Sequence, residues 1–152
     1  VATNQIVSTP ADLISAVEKR FGRISWDLAA NAENYKSHSK WRYFGPGSPI
    51  EENAFVREWE ALGDIAWLNP PFADIEPWAE RCASSVLQHR QRIALLIPAS
   101  VCTGYFIEHV KRYAYVFELT PRPFKKEVRD CILALYEPSL YTGRETWNWR
   151  NE

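Results

Sequence analysis

Residues 64–72 read DIAWLNPPF, an apolar run that ends in an asparagine, two prolines and an aromatic ring. A proline pair alone does no more than stop a strand. An Asn, Asp or Ser followed by Pro-Pro and an aromatic residue arises by accident in a chain this long with a probability on the order of 1%, taking Pro usage near ~5%. Its place at the end of a strand pattern favours a chemical role. The chemistry that fits is activation of an amine conjugated to an aromatic ring. Such a nitrogen is a poor nucleophile because its lone pair is delocalised, and two acceptors gripping its hydrogens draw it toward tetrahedral geometry. The Asn69 side-chain oxygen and the Pro70 carbonyl can be those acceptors, while Pro70 and Pro71 hold the backbone still. Phe72 offers a flat stacking face. No general base is required, and the reaction would be in-line transfer of a methyl group from a sulfonium donor, with catalysis by positioning and preorganised acceptors.

The elements that must position this corner follow from hydrophobic periodicity. STPADLISAVEKRFG predicts a helix with Thr9 as N-cap, Pro10 at the first helical position, Asp12 at capping-box spacing, an apolar face of Leu13, Ile14, Val17 and Phe21, and Gly22 as the stop. ISWDLAA predicts a short strand ending at Asp27, and ENAFVREWEALG a second amphipathic helix closed by Gly63. Beyond the corner, IEPWAERCASSVLQH and TGYFIEHVKR read as helices, and RIALLIPAS, YAYVFELT and DCILALYEP as strands. Nearly continuous apolar strands alternating with helices imply an α/β three-layer sandwich with a mostly parallel sheet. Ligands of such sheets bind beyond the carboxyl ends of the strands, so Asp27, Asn69–Phe72 and Pro98–Ser100 are expected along one edge.

The 152 residues, 46% of them hydrophobic, suffice for one domain with a real core, and no apolar run is long enough to span a membrane. The opening VATNQIVSTPADL has neither the basic nor the apolar region of an export signal. Cys82, Cys102 and Cys131 lack ligand spacing, so neither a disulfide framework nor a metal site is expected; they read as small buried hydrophobes in a reducing cytoplasm. A net charge of −1 argues against a surface coated for indiscriminate nucleic-acid binding. Charge is nonetheless uneven. Lys36, Lys40 and Arg42 lie with His38 in a stretch without acids, and Arg122, Lys125, Lys126 and Arg129 face a single Glu. Both stretches could hold phosphates, and ordinary solvated loops remain the alternative for each.

These residues also carry a family resemblance. LNPPF resembles the amino-methyltransferase motif of S-adenosylmethionine-dependent enzymes. The ordered set TP, FGRISWDLAANAENYKS, RYF, REW, WLNPPF with Trp78 behind it, LLIPAS and PRPF resembles the small phage-type DNA N6-adenine methyltransferases of the Dam group, from Thr9 to about Tyr136. The resemblance implies a reduced Rossmann-like class I methyltransferase fold, a methyltransferase domain over residues 1–140 with a C-terminal tail over 141–152, S-adenosylmethionine as donor and adenine N6 in DNA as acceptor. It implies a catalytic corner of Asn69, Pro70, Pro71 and Phe72, and donor-binding roles for Thr9, Pro10, Asp27, Ala29 and Ala30. It further implies work in the cytoplasm, that of a host cell if the chain is phage-encoded, and leaves open whether the purpose is protection from restriction. The glycine-rich turn usual in larger methyltransferases is absent after the first strand, where AANAENYK stands instead, and no obvious acid ends a second strand to hold the donor's ribose, unless Glu33 or another loop acid does so. Transfer to another exocyclic or amide nitrogen, in RNA or protein, and a catalytically silent nucleic-acid-binding relative are the alternatives.

The remaining polar residues read as structural. His38, His89 and His109 have no ligand-spaced partners, and Ser84, Ser85 and Ser100 sit in no nucleophile-elbow pattern. Trp147 and Trp149, beside Arg144 and Arg150 in the tail, could stack on bases or pack against a neighbouring subunit.

Overall fold

The structure is a computed structural model that describes residues 8–124 and 129–151. Six strands form one sheet: β1 (Ile24–Asp27), β2 (Ile65–Leu68), β3 (Ile93–Pro98), β4 (Ala114–Thr120), β5 (Cys131–Tyr136) and β6 (Gly143–Asn148), in the spatial order β1-β2-β3-β5-β4-β6. β1, β2 and β3 are parallel, and β5 is antiparallel to both β3 and β4. β6 runs parallel to β4. Five strands therefore share one direction and only β5 opposes them. That topology brings Asp27, Asn69 and Pro98, together with the end of β4 and the start of β5, to a single edge.

Helices cover both faces, which explains why β2, β3 and β5 are buried at every residue. Alternation divides their side chains between two cores. Ala66, Leu68, Leu95, Ile97 and Ala134 pack under α2 (Glu76–His89) and α3 (Gly104–His109), against Ala79, Cys82, Val86 and Phe106. Ile65, Trp67, Ala94, Leu96 and Leu133 face the opposite way, against Leu13, Ile14 and Val17 of α1 (Ala11–Phe21). The Leu13, Ile14 and Val17 face is the one the periodicity predicts, and Gly22 closes α1 at φ 126°.

Four expectations need correction. First, α1 begins one residue later, with Pro10 as its N-cap and no side-chain capping bond; Asp12 instead accepts from the amide of Leu13 and pairs with Arg150. Second, ENAFVREWEALG forms only a single 3₁₀ turn, Ala54–Val56. The Trp59 indole donates to the Ala54 carbonyl at 3.1 Å, Ala61 and Gly63 take positive φ, and Arg81 of α2 binds the Arg57 carbonyl. The segment's apolar spacing serves packing over α2, and Val56 is left exposed. Third, residues 143–148 do not hang as a tail but are the edge strand β6. Trp147 and Trp149 are buried against α1 and β4, with the Trp149 indole donating to Pro121, so neither offers a ring to bases or to a second subunit. Fourth, Cys82 and Cys131 are buried, but Cys102 is exposed.

Candidate active site

β1 ends at Asp27 because the chain turns away there and then comes back. Residues 28–42 form an excursion, after which Tyr43 pairs in parallel with Asp27, the Phe44 amide donates to the Asp27 carbonyl at 2.9 Å, and the Ala30 amide donates to the Phe44 carbonyl at 3.0 Å. Gly45 makes this return possible. Its φ is 140°, and a Cβ there would run into the Ala30 carbonyl. The strand end and the returning loop enclose a cavity of about 270 Å³.

The cavity gathers six of the nine residues expected at the donor site and the corner. Thr9, Asp27, Ala29, Ala30, Asn69 and Pro71 line it, and Pro10, Pro70 and Phe72 do not. Asn69 Nδ2 donates to Thr9 Oγ1 at 3.1 Å, which sets the direction in which the amide oxygen faces. The hydroxyl that reads as a helix cap in the sequence thus serves the corner. Phe44, Phe55 and Trp78 supply aromatic walls, the last two with ring centroids 4.4 Å apart. Glu52 also lines the cavity, where its carboxylate accepts from the Gly47 amide at 2.9 Å, whereas Glu33 is not part of the wall. The sequence assigns Phe44, Glu52, Phe55 and Trp78 no role as wall residues, although RYF and Trp78 belong to the motif set of the resemblance; a loop rather than a strand end delivers the first three.

Asp27 is the electrostatic centre. It is 2% exposed, and its two carboxylate oxygens accept separately from the Ala29 amide at 3.2 Å and the Lys36 amide at 2.8 Å. Burial raises its pKa to about 7, with those two amides and the Lys36 ammonium opposing the rise. Lys36 is shifted down, chiefly by burial, with Asp27 partly restoring it. The Lys36 ammonium donates to Ser8 Oγ at 2.8 Å, and both residues line the cavity. A residue expected to meet phosphate therefore faces the same space as Asp27.

On the other side of the corner Phe72 borders a second cleft, of about 530 Å³, with Pro98, Ala99, Ser100, Tyr105, Arg129 and Asp130. The Arg129 guanidinium lies 5.9 Å from the Phe72 ring centroid. The Ala99 amide donates to the Asp130 carbonyl at 2.9 Å, and Arg122 pairs with Asp130 at 2.7 Å, so Arg122 after β4 and Asp130 before β5 meet at this edge. Lys125 and Lys126 lie outside the described residues. The other basic stretch turns elsewhere: His38 reaches Glu18 of α1 at 2.7 Å, and the residues leading into Tyr43 run along the outer flank of β1. Trp41 is exposed there with Lys40 over its ring. Among the described residues no group of three or more His, Cys, Asp and Glu side chains could hold a metal, and no helix is long and apolar enough to cross a membrane.

Comparison with known proteins fits this geometry. A family model described as DNA N-6-adenine-methyltransferase (Dam) matches residues 2–122. A DNA N-6-adenine-methyltransferase of Escherichia phage T1 is 27% identical over 107 residues, which are 70% of this chain and 41% of that protein. The chain thus spans less than half the length of the relative it matches.

Proposed function

The chain belongs to the DNA N-6-adenine-methyltransferase (Dam) family, and we propose that it methylates the N6 amino group of adenine in DNA with S-adenosylmethionine as donor. The observation that carries this reading is the position of the Asn69–Phe72 corner as the partition between two cavities. Asn69 and Pro71 face the one with the buried acid and the aromatic walls, and Phe72 faces the one crossed by Arg129. A donor on one side and an acceptor base on the other would meet at Asn69. Five co-directional strands with a single reversed strand between β3 and β4 are compatible with a reduced Rossmann-like class I methyltransferase fold.

The residues of the first cavity suit the donor. Asp27 offers an anion for a cationic group, Phe44, Phe55 and Trp78 offer flat apolar faces for a nucleobase, and Glu52 offers acceptors for a ribose diol. The donor supplies an electrophilic methyl carried on a sulfonium. The protein's part is positional. Asn69 Oδ1, aimed by the Thr9 contact, and the Pro70 carbonyl accept the two hydrogens of the adenine amine and localise its lone pair. Phe72 holds the ring once the base has left its duplex, at a cost of a few kcal/mol for unpairing and unstacking. The proton is lost after transfer, when the nitrogen has become acidic, so no strong base is needed beside Asn69.

The test is transfer of a radiolabelled methyl group from S-adenosylmethionine to unmethylated DNA, RNA and protein in parallel, followed by nucleoside analysis. Label recovered as N6-methyl-2′-deoxyadenosine from DNA supports the proposal. Label in RNA or protein alone replaces it, and no label in any acceptor leaves only nucleic-acid binding.

A further inference from the structure

We propose that Lys36 is the ligand for the donor's carboxylate, and that the pair Asp27 and Lys36 selects the zwitterionic amino-acid head of the methyl donor and fixes its orientation in the cavity. This rests on the donor reading above. The cavity holds both charges. The buried Asp27 carboxylate and the partly buried Lys36 line it together with Ser8 and Thr9 and with the rings of Phe44, Phe55 and Trp78, and the Lys36 ammonium lies near enough to Asp27 to oppose the rise in its pKa. An α-amino acid carries an ammonium and a carboxylate on one carbon, so it presents opposite charges within a few ångströms. A rigid acid beside a cation is the complement of that arrangement.

The backbone anchors the lysine to the acid. The Lys36 amide is bonded to Asp27 Oδ2 at 2.8 Å, so the lysine's own main chain is tied to the acid whose charge it complements. Its ammonium is held by Ser8 Oγ at 2.8 Å, a neutral acceptor that an incoming carboxylate outcompetes as a charge-assisted partner. Phosphate binding is the competing use of this lysine. It is the weaker one, because Lys36 lines the cavity while Lys40 and Trp41 occupy the outer flank of β1.

The pair also replaces what the sequence lacks. No glycine-rich turn follows β1; the amides of Leu28, Ala29, Ala30 and Asn31 donate to the Trp67 carbonyl, Asp27, the Phe44 carbonyl and Asn34, and AANAENYK brings a side-chain cation to the same strand end.

Ligand truncation separates the roles. Calorimetry should be run on wild type, Lys36→Met and Lys36→Arg with S-adenosylhomocysteine and with 5′-methylthioadenosine, which keeps the thioether nucleoside and lacks the amino-acid head. Lys36→Met should weaken S-adenosylhomocysteine by about tenfold or more, the loss of one charge-assisted hydrogen bond, and should leave 5′-methylthioadenosine unchanged. Lys36→Arg should recover part of the loss. Equal weakening of both ligands would make Lys36 a wall residue and overturn the inference. Unchanged S-adenosylhomocysteine affinity with a reduced salt dependence of DNA binding would reassign it to phosphate. If wild type binds neither ligand, the donor reading itself fails; if wild type binds and Lys36→Met matches it, only this inference fails.

Discussion

At the scale of single residues the site depends on who holds whom. Thr9 does not cap its helix; it bonds Asn69, which makes it a positioning residue whose loss should act through the amide. Thr9→Val should lower kcat while the KM for the donor changes little, and Thr9→Ser should restore turnover; steady-state kinetics with both substrates check this. Phe72 has two claims on it, since it packs against both cores and also borders the second cleft. If it holds a base, Phe72→Trp should retain activity and Phe72→Ala should weaken DNA capture by roughly 1–3 kcal/mol, with donor affinity unchanged in both. Equal impairment of two folded variants would make the ring a packing residue. Asp27 gives a pH signature. Its folded pKa is raised to about 7 by burial, so the free protein prefers the protonated acid. Stability contributed by this group is greatest below the unfolded carboxylate range and is lost as pH rises to about 7. A cationic ligand reverses the preference, because it favours the ionised acid. Affinity for S-adenosylhomocysteine should therefore fall below about pH 7, approaching tenfold per pH unit as a limit, and Asp27→Asn should flatten the profile.

At the scale of elements, regular structure was legible where one period dominated. α1, α2 and all five strands read from apolar runs lie within a residue or two of expectation, because a strand buried on both faces and a helix buried on one leave unambiguous patterns. The segment 52–63 was not legible. Phe55, Trp59 and Leu62 have helical spacing, yet their burial is met by an irregular loop whose turns are fixed by Asn53, Ala61 and Gly63, and that same loop brings Glu52 and Phe55 to the cavity. β6 escaped notice for the opposite reason. Its pattern is exposed at every residue but Trp147, as an edge strand's can be, and composition alone cannot tell that from a tail. The distinction has a measurable consequence. A tail could be removed without cost, whereas Trp147, packed edge-on to Phe21 and Phe117, is part of the core under α1. Trp147→Ala should destabilise the protein by about 3–5 kcal/mol, read from denaturant unfolding.

At the scale of the whole molecule, the sheet places both cavities along one edge, with the acid of β1, the corner after β2, and Arg129 and Asp130 before β5 in order across it. If Phe72 holds the base as proposed, Arg122 is the nearer of the two basic sites to it, and its pair with Asp130 is solvent-exposed. The flank bearing Lys40 lies beyond the outer strand. Arg122→Gln should therefore reduce the slope of log affinity against log salt by about one, and more than Lys40→Gln does. The reverse ranking would place DNA along the β1 flank. The central claim is that Asn69 activates the amine that receives the methyl group. Its most direct measurement is the single-turnover rate of methyl transfer to DNA by Asn69→Ala, with enzyme saturated by both substrates and folding verified. The expected rate is lower than wild type by about 10²–10³, as for loss of one preorganised acceptor or donor in a catalytic site, with both affinities nearly unchanged. A wild-type rate in the variant would reduce the corner to a strand terminator and contradict the account.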